Sequence, residues 1–129
     1  MGWFPVALGG ALGAVARYGL SGWVQGLAGG TFPWGTLAVN VLGSLLLGFA
    51  VAWLQAAAFS ADVRQFATIG LLGSFTTFST FSFEAAALLR DGEWWAAAGY
   101  VAGSLGAGLV AVAAGYLVAT HLVFSGGRG

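Results

Sequence analysis

The chain has 129 residues, 59% of them hydrophobic and only 6% charged, with four basic and four acidic side chains and no net charge; soluble domains carry about 25% charged residues. So little charge cannot clothe a water-soluble surface, and the composition places the chain in a lipid bilayer. It also excludes a nucleic-acid binder, which needs a basic face, disorder, and any cysteine framework or histidine-built zinc site, since there is no cysteine and His121 is the only histidine.

A membrane-crossing helix needs about 20 mostly apolar residues, so the charged positions show where crossings end. The first predicted helix covers about 3–26 and contains Arg17. Nothing basic precedes Arg17, whereas a cleaved signal begins with a basic region, so the apolar start is expected to stay in the mature protein. Gly29-Gly30 and Pro33 mark a turn, and the second predicted helix covers about 35–57, inside a charge-free stretch that runs from Arg17 to Asp62. Ser60 is the expected N-cap of the third, about 62–89. The turn Arg90-Asp91-Gly92-Glu93 separates it from the fourth, about 94–123, which Trp94 and Trp95 anchor at the interface. The expectation is an all-α membrane protein, residues 1–129 forming a single four-helix transmembrane domain.

Three small-residue pairs are candidate helix contacts, because small-xxx-small faces let backbones approach in lipid: Gly9 with Gly13, Ser44 with Gly48, and Gly99 with Gly103. Orientation follows the arginine bias of the flanks. Here Arg64 and Arg128 oppose Arg90 and Arg17, a tie that permits insertion both ways up and hence an antiparallel (dual-topology) homodimer.

The third predicted helix carries the main anomaly, Gly70-Leu-Leu-Gly73-Ser-Phe-Thr76-Thr77-Phe78-Ser79-Thr80-Phe81-Ser82. Glycines and hydroxyl residues are poor or neutral helix formers, and hydroxyls compete for the backbone. A break is expected near Gly73–Thr77, tolerable in lipid only where the freed groups are buried or line a polar cavity. Broken helices recur at membrane ion sites. Beyond the break, Phe78, Phe81 and Ser82 share one helical face, while Thr77, Thr80 and Glu84 share another. Ring edges carry partial positive charge, so phenylalanines beside hydroxyls suit a small anion, with Asn40, Tyr100 and Ser104 as further donors. The plainer alternative has the hydroxyls joining helices while the phenylalanines face lipid.

Among single residues, Arg17 reads as a snorkelling or vestibule arginine, and Glu84 as a paired or hydrated carboxylate. Asn40, a lone amide among Leu, Val and Gly, requires a partner or a ligand. Asp91 and Glu93 belong to a solvated turn and His121 to the interface.

Three blocks, Gly9-Gly10-Ala-Leu-Gly13-Ala14-Val-Ala-Arg17-Tyr18, Gly35-Thr36-Leu-Ala-Val39-Asn40-Val-Leu-Gly43-Ser44 and Gly70-Leu-Leu-Gly73-Ser-Phe-Thr76-Thr77-Phe78-Ser79-Thr80-Phe81, resemble the CrcB/Fluc family of fluoride channels, in the family's order and over most of the chain. The resemblance implies passive fluoride export through a dual-topology homodimer with two pores and a central structural sodium ion (Na+). It implies that backbone carbonyls of Gly73 and Thr76 from both subunits hold the sodium, that Phe78 and Phe81 offer ring edges to fluoride, and that Asn40 donates. Ser79, Thr80 and Ser82 would lie near the path, with Tyr100 and Ser104 at polar positions of the fourth helix. Arg17 would sit near a vestibule and Glu84 at the matched acidic position. Two departures are that the 27–34 turn has no basic residue and that Gly108 stands where a second hydroxyl is expected. A proton-coupled drug transporter would want a carboxylate deep in the first helix, which carries Arg17 instead. A scaffold would not need the hydroxyl-rich third helix, and an intramembrane enzyme has its only histidine far from its serines.

Overall fold

The computed structural model describes residues 2–127; Arg128, which entered the orientation count, lies outside the described residues. The described residues are helical, without strands, in the order α1 (Trp3–Ala28), α2 (Trp34–Ala56), α3 (Ala61–Arg64), a π-helical segment (Gln65–Leu72), α4 (Gly73–Phe75), α5 (Phe78–Arg90) and α6 (Trp94–Gly126). The pieces α3 to α5 together form the third predicted helix. The ends agree closely with those expected from charge and turn signals, except that α6 continues past 123 to Gly126. Ser60 caps α3, its side chain accepting from Val63 N at 3.3 Å.

Among the described residues, three helical runs are long and apolar enough to cross a membrane: Trp34–Ala56, Ala61–Arg90 and Trp94–Gly126, with mean hydropathies of 2.1, 1.2 and 1.9. The first predicted crossing is not among them. α1 has the length, at 26 residues, but Arg17, Gln25, its tryptophans and its glycines dilute its apolar content. The outward surface is nonetheless oily, with Trp3, Phe4, Val15, Trp95 and Phe124 all exposed. An exterior of this kind belongs against lipid or a second chain, not water.

Glycines set the helix spacing. A side-chain carbon added at Gly48 of α2 would lie 3.0 Å from Tyr116 N of α6, and one added at Gly115 of α6 would lie 2.9 Å from Phe49 N of α2. The two helices therefore sink into each other's backbones. α1 meets the π-helical segment in the same way, since a carbon at Gly9 would lie 2.8 Å from Leu71 N and one at Gly70 would lie 3.0 Å from Gly9 Cα. Two of the three small-residue pairs thus hold a helix contact, but the third does not: Gly99 and Gly103 face open space. The α1–α2 turn uses Gly29 and Gly30 at positive φ (67° and 73°), where a side chain would be strained. Gln25 ties this turn together, donating to Phe32 O at 3.0 Å and accepting from Gly35 N at 3.1 Å.

Candidate functional site

The polar run of the third helix is where the backbone leaves helical geometry. α4 ends at Phe75, Thr76 (φ −89°, ψ 156°) and Thr77 (φ −149°, ψ 116°) are extended, and α5 restarts at Phe78. Thr77 caps the restart, its Oγ1 accepting from Thr80 N at 3.2 Å, the usual use of a hydroxyl at an N-cap.

An interrupted helix must find new partners for its backbone groups, and two other positions, Asn40 and Arg17, supply them. Thr77 N donates to Asn40 Oδ1 at 2.7 Å, and Asn40 Nδ2 donates to Thr77 O at 3.1 Å, so one amide brackets one residue from both sides. Arg17 Nε donates to Ser74 O at 3.1 Å. A cation at a helix C-terminus also complements the helix dipole. Two carbonyls are treated differently. Gly73 O would accept from Thr77 N in a continuous helix, but that N–H is given to Asn40. Thr76 O would accept from Thr80 N, but that N–H is given to Thr77 Oγ1. Both oxygens have lost their helical donors, and carbonyls freed in this way are the chemistry that suits a hard monovalent cation.

Against the break lies a cavity of about 240 Å³ that Asn40, Ser44, Thr76, Thr77, Phe78, Phe81 and Ser104 help to line. Its chemistry is mixed: Phe78 and Phe81 stand with ring centroids 5.8 Å apart, and Ser104 Oγ is buried without a hydrogen-bond partner among the described residues. A buried hydroxyl left unpaired costs free energy unless a ligand or water completes it. Ser44 Oγ donates to Asn40 O at 2.7 Å. At Gly108, where the fourth helix lacks a hydroxyl, Ser44 faces the position: an added carbon would lie 3.8 Å from its Oγ.

The other predicted residues fall elsewhere. Thr80 and Glu84 line a second cavity, of about 440 Å³, with Ser21, Gln25, Thr36 and Asp91. There Glu84 accepts from Thr36 Oγ1 at 2.6 Å and from Tyr100 OH at 3.5 Å, so the carboxylate is partnered from α2 and α6. Tyr100 is fully buried, its ring packed on Phe81 and edge-on to Phe32; it lines neither cavity. Ser79 and Ser82 are exposed, and Ser82 Oγ turns back to donate to Phe78 O at 3.0 Å. Sequence reasoning gave Thr36 no role, took Ser44 only as a small packing residue, and missed the Arg17–Ser74 bond. The signal for the first two is periodic: Thr36, Asn40, Gly43 and Ser44 recur at helical spacing on one face of α2.

The Thr36–Glu84 bond is short and part-buried. Thr36→Val keeps the shape but leaves the carboxylate short of a donor, so it is expected to cost about 1.5–3 kcal/mol. Thermal unfolding of the detergent-solubilised protein checks this; a midpoint equal to that of the parent chain would show that the bond adds nothing.

A family model described as "CrcB-like protein, Camphor Resistance (CrcB)" matches residues 4–116. The chain belongs to the CrcB-like family. The match spans α1, α2, the whole interrupted helix and most of α6, so both cavities lie inside it. Relatives match over most of both chains. A "Fluoride-specific ion channel FluC" of Thermus thermophilus is 50% identical over 118 residues, covering 92% of this chain and 93% of the relative. One of Opitutus terrae is 52% identical over 121 residues, 91% of each chain, and one of Geobacter sulfurreducens is 50% identical over 118 residues, 91% of this chain and 95% of its own. The CrcB-like relatives are named as ion channels, so this is a membrane protein of a channel family and not an enzyme.

Proposed function

We propose that the chain forms a fluoride-selective channel giving passive fluoride export across the cell membrane, as an antiparallel homodimer with a sodium ion at its two-fold axis. The observation that carries this reading is the cavity at the helix interruption, where the Asn40 amide, the Phe78 and Phe81 rings and the unpartnered Ser104 hydroxyl converge. Fluoride is small and strongly hydrated, so a route through lipid must replace its water with donors. Amide, hydroxyl and ring-edge donors are individually weak and several in number, which lets the ion enter and leave. No lysine is present anywhere in the chain, so no lysine ammonium can trap the anion. The names of the relatives agree with this chemistry. Export protects the cell because HF crosses membranes uncharged and dissociates inside, leaving the trapped fluoride to leave by the channel.

The interruption is read as lying at mid-membrane depth, where irregular backbone is tolerated only against protein or a polar cavity. The carbonyls of Gly73 and Thr76, which have no helical donors, would hold the sodium, and the bound ion would neutralise oxygens otherwise left facing one another. A second, inverted copy would bring its own pair, consistent with the arginine tie across the chain and with the oily outer surface. Asn40 and Ser104 would donate to fluoride from opposite helices, with Thr80 and Glu84 at the mouth of the larger cavity and Ser79 and Ser82 beside the route.

Liposomes loaded with salt and carrying the purified protein test the function. Fluoride is expected to escape while chloride is retained, without a proton gradient. Equal escape of both ions, or efflux that needs protons, would end the channel reading. Topology is tested separately: a C-terminal tag should be labelled from both sides of the membrane, and one-sided labelling would remove the antiparallel pair.

A further inference from the structure

Asn40 was expected to serve the anion, yet its closest bonds are to the backbone of the interruption. Its Oδ1 accepts from Thr77 N at 2.7 Å, and Thr77 N is the donor that Gly73 O would own in a continuous helix. Nothing else among the described residues takes that N–H. Its Nδ2 donates to Thr77 O at 3.1 Å, which holds Thr77 in its extended conformation. The same face of α2 is shaped around the neighbouring residue. A carbon added at Gly43 would lie 3.0 Å from the Phe75 ring, and Thr76 Cγ2 is its nearest neighbour, so α2 presses directly on the residue whose carbonyl is the second freed oxygen. Meanwhile Asn40 lines the cavity with Phe78, Phe81 and Ser104. One side chain therefore lines the cavity and, with its oxygen, takes the N–H that Gly73 O would receive in a continuous helix.

We infer that Asn40 is a positioning residue for the cation seat: by taking Thr77 N–H it keeps Gly73 O available to sodium, and so couples the sodium seat to the fluoride cavity. This rests on the sodium reading above. Without Asn40, the freed Thr77 N–H turns to Gly73 O and closes the helix by one bond. Sodium then has to displace that bond, and its apparent affinity falls by the fraction of molecules in which the carbonyl remains open. Nothing in this requires Asn40 to touch the ion.

The test is sodium-dependent thermal stabilisation of the intact protein in detergent, with sodium chloride exchanged for N-methylglucamine chloride at constant ionic strength, so the readout is independent of flux. The parent chain should gain stability along a saturable sodium curve. Asn40→Leu should raise the half-saturating concentration by about tenfold or more, as expected if closure of the helix leaves a tenth of the carbonyls open. Asn40→Asp retains an acceptor for Thr77 N–H and should stay within about threefold of the parent, a difference worth less than one hydrogen bond. Ser104→Ala lines the same cavity without touching the interruption, and should lower fluoride flux while leaving the sodium curve in place. If the leucine variant does not elute as the intact assembly, Asn40→Ser, whose hydroxyl is too short to reach Thr77, takes its place under the same criterion. A parent-like sodium curve in the leucine or serine variant overturns the inference, and so does a tenfold shift in Asn40→Asp. A parent chain with no sodium response at all overturns the sodium reading itself, which keeps the two failures distinct.

Discussion

Gly115→Val is expected to stop α6 from seating on α2 and to leave the chain unable to form its folded bundle. The nearest atoms to the added carbon are the backbone of Leu45 and Phe49, with Phe49 N at 2.9 Å. Overpacking a side-chain core costs about 1–3 kcal/mol because side chains can move aside; here main-chain atoms of a continuous helix would have to move, so the cost should exceed that range. The reciprocal contact at Gly48 against α6 means that separating the helices at one point also opens the other. Size-exclusion profile and thermal unfolding in detergent report the outcome. Gly99→Val and Gly103→Val are the controls, since both positions face open space within the protomer. They should leave the midpoint of protomer unfolding in place. A Gly115→Val protein that melts like the parent would show that α2 and α6 are not held by backbone proximity.

The contrast between these glycines shows what a linear reading can reach. Small residues four apart identify faces able to pack, and Gly9, Gly13 and Gly48 do pack, but Gly99 and Gly103 have the same spacing and meet nothing. Spacing specifies a face; only the neighbouring helix decides whether that face is used. Helix ends were legible because charge is excluded from lipid, which makes Asp62, Arg90 and Glu93 boundaries. The Ser60 cap was legible because its bond is local. The Asn40–Thr77 pair spans 37 positions, and no local pattern encodes it beyond the demand that a lone amide be satisfied. Helical periodicity separated Phe78 and Phe81 from Thr80 and Glu84, which line different cavities, but it put Thr77 with the second pair although Thr77 lines the cavity of the phenylalanines, and Ser82 lines neither. Tyr100, named as a further donor toward the anion, instead packs on Phe81 and donates to Glu84. The π-helical segment left a weaker trace. Thr68 Oγ1 donates back to Arg64 O of α3 at 2.7 Å, and Gly70 lets α1 come close, but a widened turn is stabilised by packing that a sequence does not display.

The two phenylalanines of the cavity should respond differently to the same substitution. Phe81 is 9% exposed and Phe78 is 76% exposed. Phe81 packs on Tyr100 at a centroid distance of 5.1 Å, so Phe81→Ala removes a core ring as well as a ring edge and should cost about 3–5 kcal/mol of stability. Phe78→Ala removes little buried surface from the protomer and should change stability by about 0.5 kcal/mol or less. Both variants should lose fluoride efflux if ring edges carry the ion, because each takes away one of the partial positive charges facing the cavity. Phe81→Leu separates packing from chemistry: it retains much of the apolar volume, costs less than about 1.5 kcal/mol, and has no aromatic edge. Liposome efflux and thermal unfolding measured on the same preparation give both quantities. Efflux at the parent rate from a well-folded Phe81→Leu channel would mean that the ring serves only to fill space, and that the anion is carried by Asn40 and Ser104 without it.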